Sequence, residues 1–229
     1  DFKKLAEKNF KDYRKKYIKY FEINEKKVKG KKTMLDTSPR VILVQNVGLF
    51  SVGDSLDAAK IAGDLTETNA RVISSVEETS KYKFIPEKDL FDVEYWSLEQ
   101  AKIKKAKKNL QGNVVVITGS FGAIGSATYK LFKSYGAEVV LLDYNLQKVI
   151  EMKSKLKELC LHCDVTNKES VKKAFKIITE TYGGIDILIS NAGTAIGGSI
   201  AEVDDKILRK SFEDNFFSHQ NCASETIKI

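Results

Sequence analysis

The sequence predicts an α/β protein with a doubly wound parallel sheet in its second half and a smaller α/β region before it. Three observations predict this. Val114-Val115-Val116-Ile117-Thr118 and Glu138-Val139-Val140-Leu141-Leu142 are short, unbroken apolar runs, the form taken by strands covered on both faces. From Val114 onward, such runs alternate with segments of helical periodicity. The first run ends in a glycine-rich turn, Gly119-Ser120-Phe121-Gly122-Ala123-Ile124-Gly125, which leads directly into a helical pattern through Leu131 and Phe132.

The 229 residues suffice for one large or two modest domains. With 42% hydrophobic and 30% charged residues, the composition is that of a soluble globular protein. No apolar run approaches the ~20 residues that a membrane span requires, so a membrane partner is not expected. The first residues are charged and amphipathic, unlike a signal peptide. Three scattered cysteines, an odd number, point to a reduced, cytoplasmic setting rather than a disulfide framework. The net charge of +7 comes mostly from lysine and reads as a solvated surface. A nucleic-acid-binding protein is the competing class, and it would show salt-sensitive binding through the lysine-rich helices. The chain starts with Asp and stops inside a helical pattern, so both ends read as cut from a longer protein.

Residues 1 to about 28 read as one helix. Leu5, Phe10, Tyr13, Tyr17, Tyr20 and Phe21 share a face opposite Lys and Arg, and this stripe is expected to pack on its own protein. A charged loop with Gly30 follows, ended by Pro39. Arg40 to Val44 reads as a buried strand, and Gln45 to Gly53 as a loop with two glycines. Asp54 or Ser55 caps a helix to about Glu78. This strand, loop and helix leave a second phosphate loop open, although the close glycine spacing and a downstream acidic strand end are missing. Beyond Pro86, Trp96 is expected to anchor the next segment to a core, and Lys102 to Lys108 to form a lysine-rich helix face.

In the second half the strands read as 114–118, 138–142, 158–162 and 185–190. The helices between them span about 123–135, 145–157 and 167–182. A last helix, about 203–229, carries Ile207, Leu208, Phe212, Phe216 and Phe217. The turn after the first strand has small residues where backbone N–H groups must approach a diphosphate, and the next helix points its positive end at it. The second strand runs into Asp143, where a carboxylate can accept hydrogen bonds from ribose hydroxyls. Strand, turn, helix, strand and acid together predict a dinucleotide site. Only His162 and His219 exist, and Cys160-Leu161-His162-Cys163 lacks a second ligand pair, so no metal site is expected. Cys222 is expected in the core.

The segment Thr118 to Gly125 resembles the TGxxxGxG turn of the short-chain dehydrogenase/reductase family, with Ala123 at the middle glycine and Gly122 one position earlier. Asp143-Tyr144 resembles the acidic position that favours NAD over NADP, since a carboxylate repels a 2′-phosphate. Cys163-Asp164-Val165-Thr166 resembles the segment after the third strand, which implies that Asp164 bonds the adenine amino group with help from Val165. Asn191-Ala192-Gly193 resembles the NAG motif that supports the sheet and lines the cofactor. Asn215 falls where the family places a helix asparagine holding a water of the proton relay.

The resemblance covers about 113–229 and implies a Rossmann-type sheet, truncated at the C-terminus. It also implies a cofactor site of Gly119, Ser120, Phe121, Ala123, Ile124 and Gly125, with Asp143, Asp164, Val165, Asn191, Ala192 and Gly193. Asn215 is the implied catalytic contributor. The family's Ser and Tyr-x-x-x-Lys come after that asparagine, beyond this chain, so the chain alone is expected to bind cofactor without turnover. Tyr129 to Lys133 and Tyr144 to Lys148 match the string but precede the NAG motif, and they read as helix-surface coincidences.

The first half, about 1–111, resembles the central part of bifunctional class II aldolase/short-chain dehydrogenase proteins of the rhamnulose-1-phosphate aldolase/alcohol dehydrogenase type. Arg40 to Val44, Gly48 to Phe50 and Phe91 to Lys102 carry that likeness. It implies an NAD-linked hydride transfer on a small alcohol or aldehyde, lactaldehyde- or sugar-derived, by a full-length protein that can be a homo-oligomer. The competing expectation is a nucleotide-binding or scaffolding module without chemistry.

Overall fold

The computed structural model describes residues 1–103, 108–199 and 201–229, without the side chains of Lys102 and Ile103. They fall into two compact units, Asp1–Lys107 and Lys108–Ile229.

The first unit opens with α1 (Phe2–Glu25), whose first turn is capped by the Asp1 carboxylate accepting the Lys3 N–H at 3.1 Å. The aromatic stripe of α1 packs as expected on α3 (Glu87–Glu94). Phe21 lies 6.0 Å from Phe91 and 5.1 Å from Tyr95, ring centre to ring centre, and Tyr20 meets Phe91 edge-on at 5.6 Å. The Tyr17 hydroxyl donates to Glu94 Oε1 at 2.6 Å, so the polar tips are satisfied as the rings are buried. Trp96 does not anchor this core: it is 49% exposed, while Phe91 and Tyr95 are 1% exposed. It follows α3 on the outward side, and the i, i+4 pair Phe91 and Tyr95 takes the inner face.

The Arg40 to Val44 run is not a buried strand. It is β1 (Val41–Val44), paired antiparallel with β2 (Gly48–Ser51), and Leu43 is 75% exposed. The stretch read as a glycine loop is therefore mostly a hairpin, turned at Gln45-Asn46 with Asn46 at φ 62°. Four consecutive apolar residues do not distinguish a central strand from half of a hairpin. The hairpin also removes the strand-to-helix geometry that a second phosphate loop needs. Its Gly53 is instead a packing residue, since a Cβ there would lie 2.4 Å from the Ala59 amide nitrogen. Ser55 caps α2 (Leu56–Glu77) through the Ala58 N–H. The lysine-rich face expected for Lys102 to Lys108 lies, from Lys104 to Lys107, outside the described residues; α4 spans Ser97–Ile103.

The second unit is the doubly wound sheet. The strands β3 (Val114–Thr118), β4 (Glu138–Asp143), β5 (Cys160–His162) and β6 (Ile187–Ile189) are parallel in the order β5-β4-β3-β6. Val114 and Val116 face one layer with Val171, Phe175 and Ile178 of α7 (Lys168–Tyr182). Val115 and Ile117 face the other, with Tyr129 and Phe132 of α5 (Ala123–Ser134) and Val149 of α6 (Leu146–Lys155). The two-residue period divides one apolar run between two cores, which explains why β3 shows no polar alternation.

The expected last helix is present as one continuous helical run from Asp205 to Ile227, with a π segment inside it. Between α8 (Asp205–Phe212) and α9 (Ser218–Ile227) lies a π turn, Glu213–Phe217. Its apolar stripe faces outward, with Phe212 54% and Phe216 62% exposed, whereas Asp214, Ser218, Asn221 and Cys222 are buried. The face turned to α7 and to the loops after β5 and β6 is made of small and polar groups. No helix among the described residues is long and apolar enough to cross a membrane.

Candidate functional site

In the order β5-β4-β3-β6, the chain leaves β3 towards β4 and later returns to the other side of β3 as β6. The carboxyl ends of β3 and β6 therefore flank the switch point of the sheet, where open α/β sheets form a crevice. Gly119 follows β3 at this place with φ +60°, and a Cβ on it would sit 2.9 Å from Ala192 Cα. A Cβ on Gly125 would sit 2.3 Å from the Gly119 carbonyl oxygen, so this glycine lets α5 close onto the turn. Gly122 is the N-cap of α5 and offers no side-chain cap bond. The start of that helix thus lacks the usual side-chain acceptor, as suits an anion.

The turn is tied to both neighbouring strands. The Ser120 N–H and hydroxyl both donate to the Leu142 carbonyl at 3.1 Å. Thr118 Oγ1 accepts the N–H groups of Asn191 and Ala192 at 2.9 Å each, and Asn191 Nδ2 donates to the carbonyls of Thr118 and Gly119. Asn191 and Ser120 are therefore spent on the scaffold. Asp143, at the end of β4, accepts the Phe121 N–H on Oδ2 at 2.9 Å and the Asn145 N–H on Oδ1 at 3.0 Å. Asp164 accepts the N–H and hydroxyl of Thr166 on Oδ1.

These ends enclose a cleft of about 440 Å³. Of the sequence-predicted cofactor residues, Gly119, Asp143, Asp164, Val165, Ala192 and Gly193 line it. Ser120, Phe121, Ala123, Ile124, Gly125 and Asn191 do not. They form the turn, the helix start and the scaffold behind the wall, and the Ile124 side chain points to solvent. Sequence reasoning missed Tyr144, Cys163 and Thr166, which neighbour predicted positions, and Thr194, Lys210 and Asp214. Tyr144 precedes α6 and is 71% exposed at the cleft, so reading it as a residue of that helix is corrected. Tyr129 does lie on α5. Burial and the nearby Glu158 carboxylate push its hydroxyl up to about 12, and Lys133 is paired with Glu158 at 2.9 Å, away from the cleft.

Asn215 lies in the π turn. Its Oδ1 accepts the Thr194 N–H at 2.9 Å, and its Nδ2 donates to the Thr194 and Ser211 carbonyls at 2.8 and 2.9 Å. Asp214 Oδ2 accepts the Thr194 hydroxyl at 2.9 Å, and its Oδ1 accepts Lys210 Nζ at 2.5 Å. Burial disfavours the Asp214 carboxylate, but the bonds from Lys210 and Thr194 hold it below the ordinary aspartate range. The hydrogen bond to Asp214 raises Lys210 in turn. The only sequence sign of this cluster was helical spacing between Lys210 and Asp214. The cysteines are all buried, and burial pushes Cys163 up to about 11 and Cys222 up to about 12. No group of three metal-ligating side chains occurs among the described residues.

Against known proteins, residues 113–229 match the short chain dehydrogenase family, and residues 1–103 match the second domain of class II aldolases. The uncharacterized oxidoreductase YuxG of Bacillus subtilis (strain 168) is 30% identical over 178 residues, which take in 74% of this chain and 26% of that protein. Secoisolariciresinol dehydrogenase of Forsythia intermedia is 40% identical over 89 residues, 38% of this chain and 32% of that protein. The chain thus spans between 26% and 32% of the length of these two curated relatives. Among solved structures, a glucose/ribitol dehydrogenase-type short-chain dehydrogenase/reductase from Brucella melitensis superposes with a TM-score of 0.50 at 24% identity, over 54% of each chain. This is a likeness of fold.

Proposed function

Because the chain belongs to the short-chain dehydrogenase family, we propose that residues 108–229 are the cofactor-binding part of an NAD-dependent oxidoreductase. When bound, the nicotinamide group supplies the hydride exchanged with an alcohol or aldehyde carbon. The observation that supports this best is the glycine cradle. Gly119 and Gly125 occupy places where a Cβ would strike backbone, and beside them α5 starts without a side-chain cap.

In this reading the turn from Gly119 through Ser120 and Phe121 to Ala123, Ile124 and Gly125 holds the diphosphate with backbone groups. Asp143 receives the adenosine ribose and, being anionic, favours NAD over NADP. Asp164 and Val165 take the adenine end, Ala192 and Gly193 form the wall next to the nicotinamide ribose, and Asn191 supports that wall from behind through Thr118 and Gly119. Asn215 serves the proton relay. Its side chain is committed to Thr194 and Ser211, so the relay water would be held by the main chain that the π turn displaces.

For the whole protein we propose a cytoplasmic oxidoreductase in which a class II aldolase region precedes the dehydrogenase, acting on a small hydroxyaldehyde or sugar-derived substrate. The match of residues 1–103 to the aldolase second domain supports that order. Calorimetric titration of the 229-residue chain with NAD and NADP tests the cofactor reading. Saturable binding with NAD the tighter ligand is expected. Binding of neither overturns the reading, and tighter NADP overturns the role of Asp143.

A further inference from the structure

The proposed cofactor carries two negative charges on its diphosphate, yet the cleft meant for it is lined by three carboxylates, Asp143, Asp164 and Asp214. Among the described residues lining that cleft, Lys210 is the one cation. The carboxylates of Asp143, at the end of β4, and of Asp164, in the loop after β5, are held by backbone N–H groups. Asp214 differs: it comes from the helical segment after β6, its side chain is 10% exposed, and its two oxygens take Lys210 Nζ and the Thr194 hydroxyl.

Resting on the cofactor reading above, we propose that Lys210 and Asp214 act together as positioning residues for the dinucleotide. Asp214 fixes the cleft wall, and Lys210 cancels the charge this introduces. The first half follows from Thr194, which is gripped at three points. Its hydroxyl donates to Asp214, its N–H donates to Asn215 Oδ1, and its carbonyl accepts from Asn215 Nδ2. Gly193, next to it, lies so close to this helix that a Cβ would come 2.5 Å from Asn215 Oδ1. The loop that carries Ala192 and Gly193 into the cleft is therefore set by the π turn, and Asp214 supplies the one side-chain-to-side-chain bond of that grip.

The second half follows from electrostatics. An unpaired carboxylate in a cleft wall, poorly solvated, repels an approaching diphosphate over several ångströms. Lys210 is 59% exposed and reaches Asp214 from one helical turn earlier, so its stem adds little packing. What it contributes is charge. The arrangement lets the fold use a carboxylate as an anchor at a place where an anion must bind.

The test is a double-mutant cycle on the 229-residue chain, read as the NAD dissociation constant by calorimetry at low and high salt. Lys210→Met is expected to weaken binding by about tenfold at low ionic strength and by only about twofold at ~0.5 M salt. Asp214→Ala, which removes the acceptor for the Thr194 hydroxyl, is expected to weaken binding at both salt concentrations, whereas Asp214→Asn keeps an acceptor there and serves as the charge-free background of the cycle. The double variant, Lys210→Met with Asp214→Asn, is expected to return to within about threefold of the parent. A structural role for Lys210 predicts a loss that neither salt nor Asp214→Asn relieves, and either persistence overturns the proposal. So does a Lys210→Met variant that binds like the parent. If the parent chain binds neither NAD nor NADP, the cofactor reading fails first and takes this proposal with it. That result is distinguishable because it precedes any variant.

Discussion

Gly125→Ala should separate the two close glycines of the turn after β3, and its effect can be worked from the structure. The added Cβ would lie 2.3 Å from the Gly119 carbonyl oxygen and 2.8 Å from Ser120 Cα, both backbone atoms that no rotamer can move. Ordinary contact begins near 3.4 Å, so α5 must retreat by about 1 Å from the end of β3. Overpacking of this kind costs ~1–3 kcal/mol, and the better helix propensity of alanine returns at most ~1 kcal/mol. A net loss of about 1–2 kcal/mol lowers the melting transition of a unit this size by roughly 5–10 °C. The retreat also takes the helix start away from the diphosphate, so NAD should bind about tenfold more weakly.

Gly122→Ala is the control. It has extended backbone, with φ −76° and ψ 171°, and its nearest neighbour to a Cβ is the Gly119 carbonyl oxygen at 3.4 Å. It should change stability by no more than about 0.5 kcal/mol. The assay is far-UV circular dichroism on heating, with Trp96 fluorescence as an internal reference. The single tryptophan lies in the first unit and should melt unchanged. Equal losses for the two variants, or a Gly125→Ala protein that melts like the parent, would refute the reasoning.

Three further outcomes are expected. Asp143→Ser removes the carboxylate facing the proposed ribose site and an acceptor for the Phe121 N–H, and calorimetry should show the NAD-over-NADP ratio falling by about tenfold or more; an unchanged ratio would remove Asp143 from the specificity argument. Lys133→Ala strips the ammonium from Glu158, whose side chain is 8% exposed, and should cost about 1–2 kcal/mol in urea melts at neutral pH. Burial pushes the Glu158 carboxyl up, but the Lys133 and Tyr129 bonds hold it below its ordinary value. Its contribution is therefore present above the unfolded value near 4.5 and lost as pH falls through the lower folded value, so the parent and variant curves should converge in acid; a gap that stays constant to low pH would argue for packing alone. Finally, Cys160, Cys163 and Cys222 are buried with raised thiols, so a disulfide reagent should label them near pH 8 only after denaturation; rapid labelling of the folded chain would contradict this packing.

Much of the second unit was legible because its signals are local. A β-branched run bounded by a glycine turn reads as a covered strand, and β3 spans the predicted 114–118 as Val114–Thr118. The caps at Asn145 and Asn167 set helix starts through bonds within a few residues. The first unit was less legible for the same reason turned around. The apolar run at Val41–Val44 has no local mark telling a hairpin half from a central strand, and Trp96 has none telling which side of α3 faces inward.

The sequence by itself determined the βα alternation of the second half, the place of the phosphate turn, and the acidic end of the second strand. Each depends on side-chain size, branching or charge over a short stretch. Only the tertiary structure decided which of those residues reach the cleft. Asn191 and Ser120 match a binding motif, yet they spend their hydrogen bonds on Thr118, Gly119 and Leu142, because the turn must first be fastened to its neighbouring strands. Conversely, Thr194, Lys210 and Asp214 belong to no motif and still line the cleft, because the last helix turns its polar residues towards the loops after β5 and β6 and leaves its phenylalanines outside. Helical spacing fixes which side chains share a face, but the direction that face takes depends on packing between elements distant in sequence.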